Sequence, residues 1–559
     1  AGIAQATKSA GLDSLSVMAV RDGTTQQGEY LESLAEAARS KLPVLFLIHD
    51  NKLAISTRTQ GKTFFENTEG EELETFHSIP IVRCRSWDVK GTLETFGQSV
   101  EFIRNGNGPV ILIIQCKRFS SHTNADSQDV YLSEEEKSES KDTYCPLVHV
   151  ADYIESEYGI KTDLTKLKAE KEKLLQGIVS DVLDEPEPEP SFKAIADFDS
   201  STLPKDGELI AEDESLTMLE GIREVLRNQL EANDKVSLYG QDLEDPKGDV
   251  FGLTRGLSSI RPNAVQNAPL SEATILGVSI GRALAGERPV AFLQFADFLP
   301  LAYNQLVSEL SSFYWRSDGD WQCPVIVMVT CGGYRPGLGP FHAQTFDSAM
   351  AATPGLDVMC PSTADDAVGM LNTAFKSNRP TIFFYPKNLL NDPNRKSTLP
   401  IDANSVPLGK ARMCREGSHV TLVGWGNTVP LLEKAADWLE ENNLSADVID
   451  LRMLTPLDEE AVIQSVDKTR HILVVHEDNK TGGFGAEVVA RVSESLFDKS
   501  VRSKRLARRD IPIPCHFPSQ LEVLPSFRAI VDSVEDLLGL DLEWPDDLKG
   551  ADNANLYQV

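Results

Sequence analysis

Short apolar runs alternate with amphipathic segments along this chain of 559 residues. Examples are "LSVMAV", "PVLFLIHDN", "VSLYGQD", "PVAFLQFADF", "PVIVMVTCGG", "PTIFFYPK", "HVTLVGWG" and "HILVVHED", which are rich in β-branched and aliphatic residues. Continuous apolar runs with helical patterns between them are typical of parallel strands that helices cover on both faces. The pattern therefore predicts an α/β fold, with functional residues just beyond the carboxyl ends of the strands.

Polar stretches divide the pattern into units. At about 150 residues per domain, the length predicts three or four domains. We predict a first α/β unit over 1–130, followed by helices and an acidic, proline-rich linker over 131–215. A second α/β unit is predicted over 216–400 and a third over 405–540, and the aperiodic residues 541–559 predict a mobile tail.

Charge and cysteine content narrow the class of protein. A net charge of −31 argues against nucleic acid as a partner, because phosphate binding needs clustered Lys and Arg. The one basic cluster, Arg502 to Arg509, predicts a solvated surface. The sequence shows neither a signal peptide nor an apolar stretch of membrane-spanning length, so we expect no membrane partner. Eight cysteines stand singly without a CxxC pair, which predicts reduced thiols and a cytoplasmic protein.

Candidate chemistry begins at Asp22-Gly23-Thr24, which follows the first predicted strand. Asn51 stands 29 positions after Asp22, at the end of the next strong strand. Carboxylate and amide oxygens are the hard ligands that Mg²⁺ prefers, with phosphate oxygens completing an octahedron. Gly23 would let a pyrophosphate approach the backbone at the start of the following helix. An Asp-Gly pair before a helix is also a common turn, so these residues alone leave a turn and a metal site as alternatives.

The same residues resemble the thiamine-diphosphate motif, in which GDG is followed at a distance by asparagine. "DGTTQQGEYLESLAEAARSKLPVLFLIHDNKLAIS" resembles the α subunit of the decarboxylating component of branched-chain 2-oxoacid and pyruvate dehydrogenase complexes. "GQDLEDPKGDVFGLTRGL", "APLSEATILGVSIGRALAGERPVAFLQFADF" and "NKTGGFGAE" resemble its β subunit. The resemblance runs from residue 1 to about 540. It implies a thiamine-diphosphate-binding fold with a transketolase C-terminal-like domain, and both halves of a cofactor site on one polypeptide.

The resemblance assigns cofactor roles in the first unit, which becomes the pyrophosphate-binding domain. Asp22 and Asn51 are implied to bind Mg²⁺, with the backbone carbonyl of Leu53 as a third ligand. Gly23 and Thr24 are implied to contact the pyrophosphate of thiamine diphosphate.

Four further residues carry implied roles. His122, in "RFSSHTNAD", matches a family histidine near the diphosphate and the reacting centre. In the unit over 216–400, the implied pyrimidine-binding domain, Glu272 matches the glutamate that hydrogen-bonds N1′ of the aminopyrimidine. Phe298 matches the aromatic residue that stacks on that ring. His342 matches a histidine that is a candidate proton donor or acceptor during acyl transfer to lipoamide.

The sequence departs from the family pattern at several positions. Arg21 replaces the first glycine of GDG, where its bulk would crowd the metal loop or its charge would meet phosphate. Gln241 stands where a glutamate is common, which breaks any proton relay through that carboxylate. Glu29 and Glu32 on the following helix are either an exposed acidic face or a carboxylate path toward the pyrimidine. The first residues match a helix that follows a glycine-rich cofactor loop in the family, so we expect a longer reading frame.

The expected reaction is oxidative decarboxylation of a 2-oxo acid with acyl transfer to a lipoyl domain of an acyltransferase core. "QFADFLPLAYNQLVSEL" and "PTIFFYPK" favour a branched-chain substrate over pyruvate. Because the family assembles as α₂β₂, the fused chain is expected to form a homodimer. Alternatives are an acetoin-cleaving or transketolase-like thiamine enzyme, and a catalytically impaired assembly subunit.

Overall fold

The computed structural model describes residues 1–187, 189, 192–204, 209–211 and 214–544. The chain forms two compact units, and the boundary between them lies between Ser191 and Phe192. The predicted tail lies outside the described residues from 545 onward, as do positions 188, 190, 191, 205–208, 212 and 213 of the predicted linker segment.

The first unit is built on a five-stranded sheet. Its strands, together with a small hairpin, are β1 (Ser16–Arg21), β2 (Val44–Asp50), β3 (Leu53–Ala54), β4 (Thr57–Arg58), β5 (Thr75–Phe76), β6 (Ile79–Arg85) and β7 (Val110–Gln115). Its helices are α1 (Gly2–Ser9), α2 (Gly28–Arg39), α3 (Val89–Phe102), α4 (Glu134–Thr143), α5 (Pro146–Tyr158) and α6 (Leu164–Leu183). The spatial order of the strands is β1-β2-β7-β6-β5, and neighbours are parallel except for β5 and β6.

The second unit begins with helices and strands that build a seven-stranded sheet. Its strands in this part are β8 (Val236–Gly240), β9 (Val265–Asn267), β10 (Arg288–Leu293), β11 (Ile326–Cys331), β12 (Asp357–Met359) and β13 (Thr381–Pro386). The accompanying helices are α7 (Met218–Ala232), α8 (Leu257–Ile260), α9 (Glu272–Leu284), α10 (Phe313–Arg316), α11 (Asp347–Ala351) and α12 (Ala364–Lys376).

The rest of the second unit forms a further five-stranded sheet. Its five strands are β14 (Arg412–Arg415), β15 (Val420–Gly424), β16 (Ala446–Asp450), β18 (His471–Asn479) and β19 (Arg502–Arg508), and the short strand β17 (Met453–Thr455) lies between β16 and β18 in sequence. The helices are α13 (Thr428–Glu441), α14 (Glu459–Thr469), α15 (Gly485–Ser495), α16 (Phe517–Val523) and α17 (Phe527–Leu538). The two sheet orders are β17-β12-β13-β11-β10-β8-β9 and β14-β16-β15-β18-β19, so β17 leaves its neighbours in sequence to join the seven-stranded sheet.

The predicted parallel sheets covered by helices are confirmed. Every residue of β11 and β13 is buried, because helices cover both faces of the seven-stranded sheet. Helix α7 begins with a capping box between Thr217 and Glu220 and buries an apolar stripe that includes Ile222, Val225 and Leu226. Burying each such side chain contributes about 1.5–3 kcal/mol. The same packing aligns the carboxyl ends of the parallel strands, where the candidate residues lie.

The basic cluster forms β19 at the edge of the last sheet, so the predicted solvated surface is wrong in part. Arg508 is buried and donates to the carbonyl of Ile511 at 2.7 Å. Arg502 donates to the carbonyl of Leu537 at 2.8 Å. Guanidinium groups that satisfy backbone carbonyls tolerate burial that unpaired charges do not.

All eight cysteines lie in the described part of the chain and are free thiols, with Cys84, Cys323 and Cys360 buried. Within the described ranges, no helix combines the length and the apolar character that a membrane crossing requires.

Candidate active site

Asp22 is the first residue after β1 and begins a short 3-10 turn over Asp22–Gln26. Its side chain is 0% exposed. Oxygen Oδ2 accepts a hydrogen bond from the Thr59 hydroxyl at 2.6 Å, whereas Oδ1 is buried without a hydrogen-bond partner in the described chain. Burial raises the pKa of Asp22, the Thr59 hydrogen bond opposes that rise, and the charge of Asp50 adds to it. A cation facing Oδ1 would supply the missing partner and stabilise the carboxylate.

Asn51 follows β2, the parallel neighbour of β1. Arg21 is opposite His49 in that pairing, so Asp22 and Asn51 leave their strands at the same edge of the sheet. Asn51 Oδ1 accepts a hydrogen bond from the backbone N–H of Leu53 at 2.9 Å. The structure thus brings the three sequence-predicted metal ligands into neighbouring connections, and their ligand roles stay predictions.

Gly23 packs so closely against the β3–β4 hairpin that a side chain would not fit. A Cβ atom built on Gly23 would lie 2.6 Å from the Cβ of Ala54 and 3.3 Å from its Cα. Thr24 is exposed in the same turn, immediately before α2. Helix N-termini present unpaired N–H groups that favour anions, which suits the predicted contacts to pyrophosphate. Glu29 and Glu32 are half-buried on α2, and both alternatives for them stay open.

Arg21 reaches the predicted histidine. Its Nη1 lies 2.9 Å from Nδ1 of His122. Since a guanidinium only donates, Nδ1 must accept, which leaves Nε2 to carry the proton of the neutral ring. The backbone N–H of His122 donates to Asp126 at 2.7 Å, and the same carboxylate accepts from the hydroxyl of Tyr131 at 2.6 Å. The residue that departs from GDG therefore fixes the orientation of His122, whose catalytic role stays a prediction.

Glu272 is the first residue of α9, after the short strand β9. It is half-buried, and its Oε1 accepts a hydrogen bond at 3.1 Å from Nε2 of Gln241, the residue after β8. An acid in the first helical turn interacts favourably with the helix dipole. The departure from the family at Gln241 thus replaces a second carboxylate with an amide that donates to Glu272.

Phe298 and His342 lie together beyond the ends of β10 and β11. The ring of His342 meets Phe298 and Phe295 edge-on, with centroids 5.8 Å and 4.7 Å apart. Both predicted residues are half-buried. The structure brings this predicted pair into contact, and their roles toward a cofactor stay predictions.

Sequence reasoning missed three charged residues around His342. Asp297 accepts the backbone N–H groups of Ala343 and Gln344. Lys387 is 2% exposed after β13, and burial lowers its pKa to about 8. Glu477 is buried in β18 and accepts hydrogen bonds from Gly333 and Asn427. Each stands in or directly after an apolar run, so the strand end itself was the signal.

A metal site made only of carboxylate, thiol and imidazole groups is absent from the described chain, since no group of three or more His, Cys, Asp or Glu is arranged to hold an ion. The predicted site is of another kind, with one carboxylate, one amide and one backbone carbonyl. The orphaned Oδ1 of Asp22 is the observation that fits a cation there.

Comparison with known proteins covers both units. Three family models match successive parts of the chain: "Dehydrogenase E1 component" over residues 1–191, "Transketolase, pyrimidine binding domain" over 214–393, and "Transketolase, C-terminal domain" over 409–527. The 2-oxoisovalerate dehydrogenase subunit beta of Bacillus subtilis (strain 168) is 38% identical over 306 residues, which are 54% of this chain and 92% of that protein. The chain belongs to the thiamine-diphosphate-dependent E1 dehydrogenase family.

As the resemblance implied, the polypeptide joins an E1 alpha-type region to a beta-type region. The pyruvate dehydrogenase E1 component subunit beta of Acholeplasma laidlawii is 31% identical over 323 residues, 56% of this chain and 98% of that protein. The acetoin:2,6-dichlorophenolindophenol oxidoreductase subunit beta of Bacillus subtilis (strain 168) is 32% identical over 338 residues, 58% of this chain and 97% of that protein. These relatives are named after different substrates, so membership of the E1 family does not by itself identify the substrate.

Proposed function

We propose that this E1-family chain decarboxylates a branched-chain 2-oxo acid oxidatively and transfers the acyl group to the lipoyl group of an acyltransferase core. The proposal includes thiamine diphosphate and Mg²⁺ as cofactors, a homodimer of fused chains and a cytoplasmic location. The observation that carries it is the orphaned Oδ1 of buried Asp22 at a sheet edge of an E1-type domain.

The first unit would hold the metal and the diphosphate. Asp22, Asn51 and the carbonyl of Leu53 offer oxygen ligands of the kind that Mg²⁺ prefers. Gly23 and Thr24 lie in the turn before α2, where N–H groups and the helix dipole would favour the diphosphate.

The second unit would hold the pyrimidine and move protons. When bound, thiamine diphosphate supplies the electron-accepting ring that decarboxylation of a 2-oxo acid requires. Glu272 would hold a proton at its carboxylate for N1′ of the aminopyrimidine, and the Gln241 amide limits the orientations of that carboxylate. Phe298 would stack on the aminopyrimidine. His342 would give or take a proton at the lipoyl thiol, and His122 would act near the diphosphate.

Calorimetry with thiamine diphosphate tests the cofactor half of the proposal. In the full-length protein we expect binding that depends on Mg²⁺. Asp22→Asn keeps the size of the side chain but removes its charge, so metal-dependent binding should be lost. Asp13→Asn is the matched control, because Asp13 is an exposed carboxylate in the same unit. Wild-type affinity in the Asp22→Asn variant would overturn the metal assignment.

Substrate choice is tested by comparing kcat/KM for 3-methyl-2-oxobutanoate and pyruvate with a lipoyl domain as acceptor. Each methylene in an apolar pocket changes selectivity about 10–200-fold, and we expect the branched substrate to be favoured. A clear preference for pyruvate would contradict this. Higher turnover of acetoin than of either 2-oxo acid would favour the acetoin-cleaving alternative, which the similarity to an acetoin oxidoreductase subunit motivates.

The departures from the family pattern at Arg21 and Gln241 motivate the alternative of an impaired assembly subunit. Glu272→Gln preserves shape and hydrogen bonding but removes acid–base function. We expect that variant to bind the cofactor yet exchange the cofactor C2 proton about 10²–10⁴-fold more slowly than wild type. If the variant exchanges that proton at the wild-type rate, Glu272 is only a helix-terminal acid. If the wild-type protein exchanges it no faster than free thiamine diphosphate does, the chain is an impaired subunit and not an active E1 enzyme.

A further inference from the structure

His342 lies on a glycine-rich loop, and the sequence of that loop does not make it rigid. The loop leaves β11 at Cys331 and contains Gly332, Gly337 and Gly339, whose φ angles are +95°, +81° and +63°. Glycine pays the largest conformational entropy of any residue when it is ordered. A histidine that moves a proton needs a fixed position, so contacts from outside the loop must hold it.

The turn after β10 holds the far end of the loop. Oδ1 of Asp297 accepts the N–H groups of Ala343 and Gln344, both at 3.3 Å, and Oδ2 also accepts from Gln344 at 3.2 Å. These two N–H groups directly follow His342 in sequence. The neighbouring rings of Phe295 and Phe298 meet the His342 imidazole edge-on, so one turn restrains both the backbone and the ring.

Glu477 holds the near end. Its carboxylate accepts the N–H of Gly333 through Oε1 and the Asn427 amide through Oε2 at 2.7 Å. A Cβ atom on Gly332 would lie 3.1 Å from both carboxylate oxygens, which shows how tightly the loop entry packs on Glu477.

Lys387 interacts electrostatically with both carboxylates that hold the loop. Its ammonium lies 5.3 Å from the centroid of the Phe295 ring and has no hydrogen-bond partner in the described chain. It interacts electrostatically with the carboxylates of Asp297 and Glu477, and the other charged or titratable groups that act on it are Cys331 and Arg335. A buried ammonium is stabilised only by such nearby anions and by the aromatic face beneath it.

We infer that Asp297, Lys387 and Glu477 are positioning residues for His342, and that together they fix the glycine-rich loop at both ends. This inference rests on the proposed function, in which His342 moves a proton during acyl transfer. None of the three needs to touch the substrate, because each acts through the loop or through the rings that pack on the imidazole.

A double-mutant cycle tests this arrangement. Asp297→Ala should slow acylation of a lipoyl domain on the order of 100-fold, because small misplacements of a catalytic group have effects of that size. Decarboxylation with a dye as electron acceptor and the KM for the 2-oxo acid should change little. In a His342→Ala background the same substitution should have no further effect on acylation. Asp297→Asn, which keeps an acceptor oxygen, should restore part of the rate.

A second measurement needs neither cofactor nor activity. In ¹³C-labelled-histidine NMR of the unliganded protein, the His342 resonance is assigned by its loss in His342→Ala. Asp297→Ala and Lys387→Met should change its chemical shift and its line width, whereas Lys480→Met should not, because Lys480 is exposed. Thermal melting establishes that each variant is folded.

The outcomes separate the inference from the proposed function. Equal losses of acylation in the two backgrounds, or a His342 resonance whose chemical shift and line width are unchanged by both substitutions, overturns the inference. If the wild-type protein decarboxylates no 2-oxo acid, the proposed function fails, and the His342 chemical shift and line width alone then decide whether these residues position His342.

Discussion

Gly23 is required by a contact within the protein, whatever binds beside it. Gly23→Ala would place a methyl group 2.6 Å from the Cβ of Ala54, so the β3–β4 hairpin must move away from the turn that carries Asp22. Overpacking of this kind costs about 1–3 kcal/mol, and the shift should also weaken Mg²⁺-dependent cofactor binding. Urea unfolding and calorimetry measure the two effects.

The compensating variant Gly23→Ala/Ala54→Gly supplies the control. It removes the clashing Cβ of Ala54 and leaves the Cα of residue 54 at 3.3 Å. Most of the lost stability should return. A single Gly23→Ala variant as stable as wild type would show that the hairpin adjusts freely.

His476 makes the stability of the second unit depend on pH. Its ring is buried, stacks on Trp425 with centroids 5.3 Å apart, and has no hydrogen-bond partner at either nitrogen in the described chain. Burial lowers the pKa of His476 from 6.5 to about 4. The unfolded chain therefore binds a proton between these values that the folded chain does not, and stability is lost as pH falls from 6.5 toward 4.

The expected loss from this group is roughly 3 kcal/mol over that range. His476→Phe keeps an aromatic ring on Trp425 but does not titrate, so its melting temperature should fall less between pH 7 and pH 4.5 than that of wild type. His419→Gln removes an exposed histidine and should leave the wild-type pH dependence unchanged. A His476→Phe profile parallel to wild type would contradict the assignment.

The spacing of motifs along the sequence predicted part of the candidate site. Asp22 and Asn51 were found because parallel strands bring their ends together, which a spacing reveals. Thr59, which hydrogen-bonds Asp22 from 37 positions away, was not predicted as part of the site. Nothing in a sequence states which distant hydroxyl satisfies a buried carboxylate. Lys387 and Glu477 do stand at strand ends, but their relation to His342 depends on the packing around its loop, which no local pattern states.

At the scale of elements, the capping boxes of α7 and α4 offer a matched comparison. Both helices begin with a Ser or Thr that accepts from the N–H three residues on and a Glu that returns the bond. Thr217→Ala in α7 should lower stability by about 1 kcal/mol, because α7 buries its apolar stripe in the core. Ser133→Ala in α4 should leave the global transition unchanged, since the capping turn of α4 lies at the surface. Denaturant melts followed by circular dichroism compare them, and equal shifts would refute the dependence on burial.

Strands were predictable where they are continuously apolar. β8, β11, β13 and β15 coincide with apolar runs of the sequence and are wholly buried. β6 was not among them, because Pro80 and two arginines interrupt its apolar pattern. Arg83 is accommodated by donating to the carbonyls of Leu73 at 2.9 Å and Phe65 at 3.0 Å. Such long-range satisfaction of a charge has no local sequence signal.

At the scale of the molecule, the resemblance to E1 proteins predicted the α/β fold and the joining of alpha-type and beta-type regions. It did not predict that a strand from the C-terminal region joins the seven-stranded sheet. β17 leaves the region predicted as the C-terminal unit and pairs antiparallel with β12, Val358 being opposite Thr455. A three-residue strand carries too little pattern to be assigned to either sheet from sequence.

Buried charged residues also connect the region over 216–400 with the region over 405–540. Arg412 in β14 contacts Asp450 in β16 at 3.2 Å and Asp366 in α12 at 3.1 Å, and both carboxylates are buried. Arg412→Met leaves Asp450 without its cation, and removing one partner of a buried pair typically costs about 3–5 kcal/mol. Calorimetric melting should show the second unit unfolding at lower temperature, and less so at acidic pH, where Asp450 becomes protonated. Because the penalty comes from the uncompensated charge, adding Asp450→Asn should recover much of the loss. No recovery in that double variant would show that the loss does not come from an uncompensated charge on Asp450.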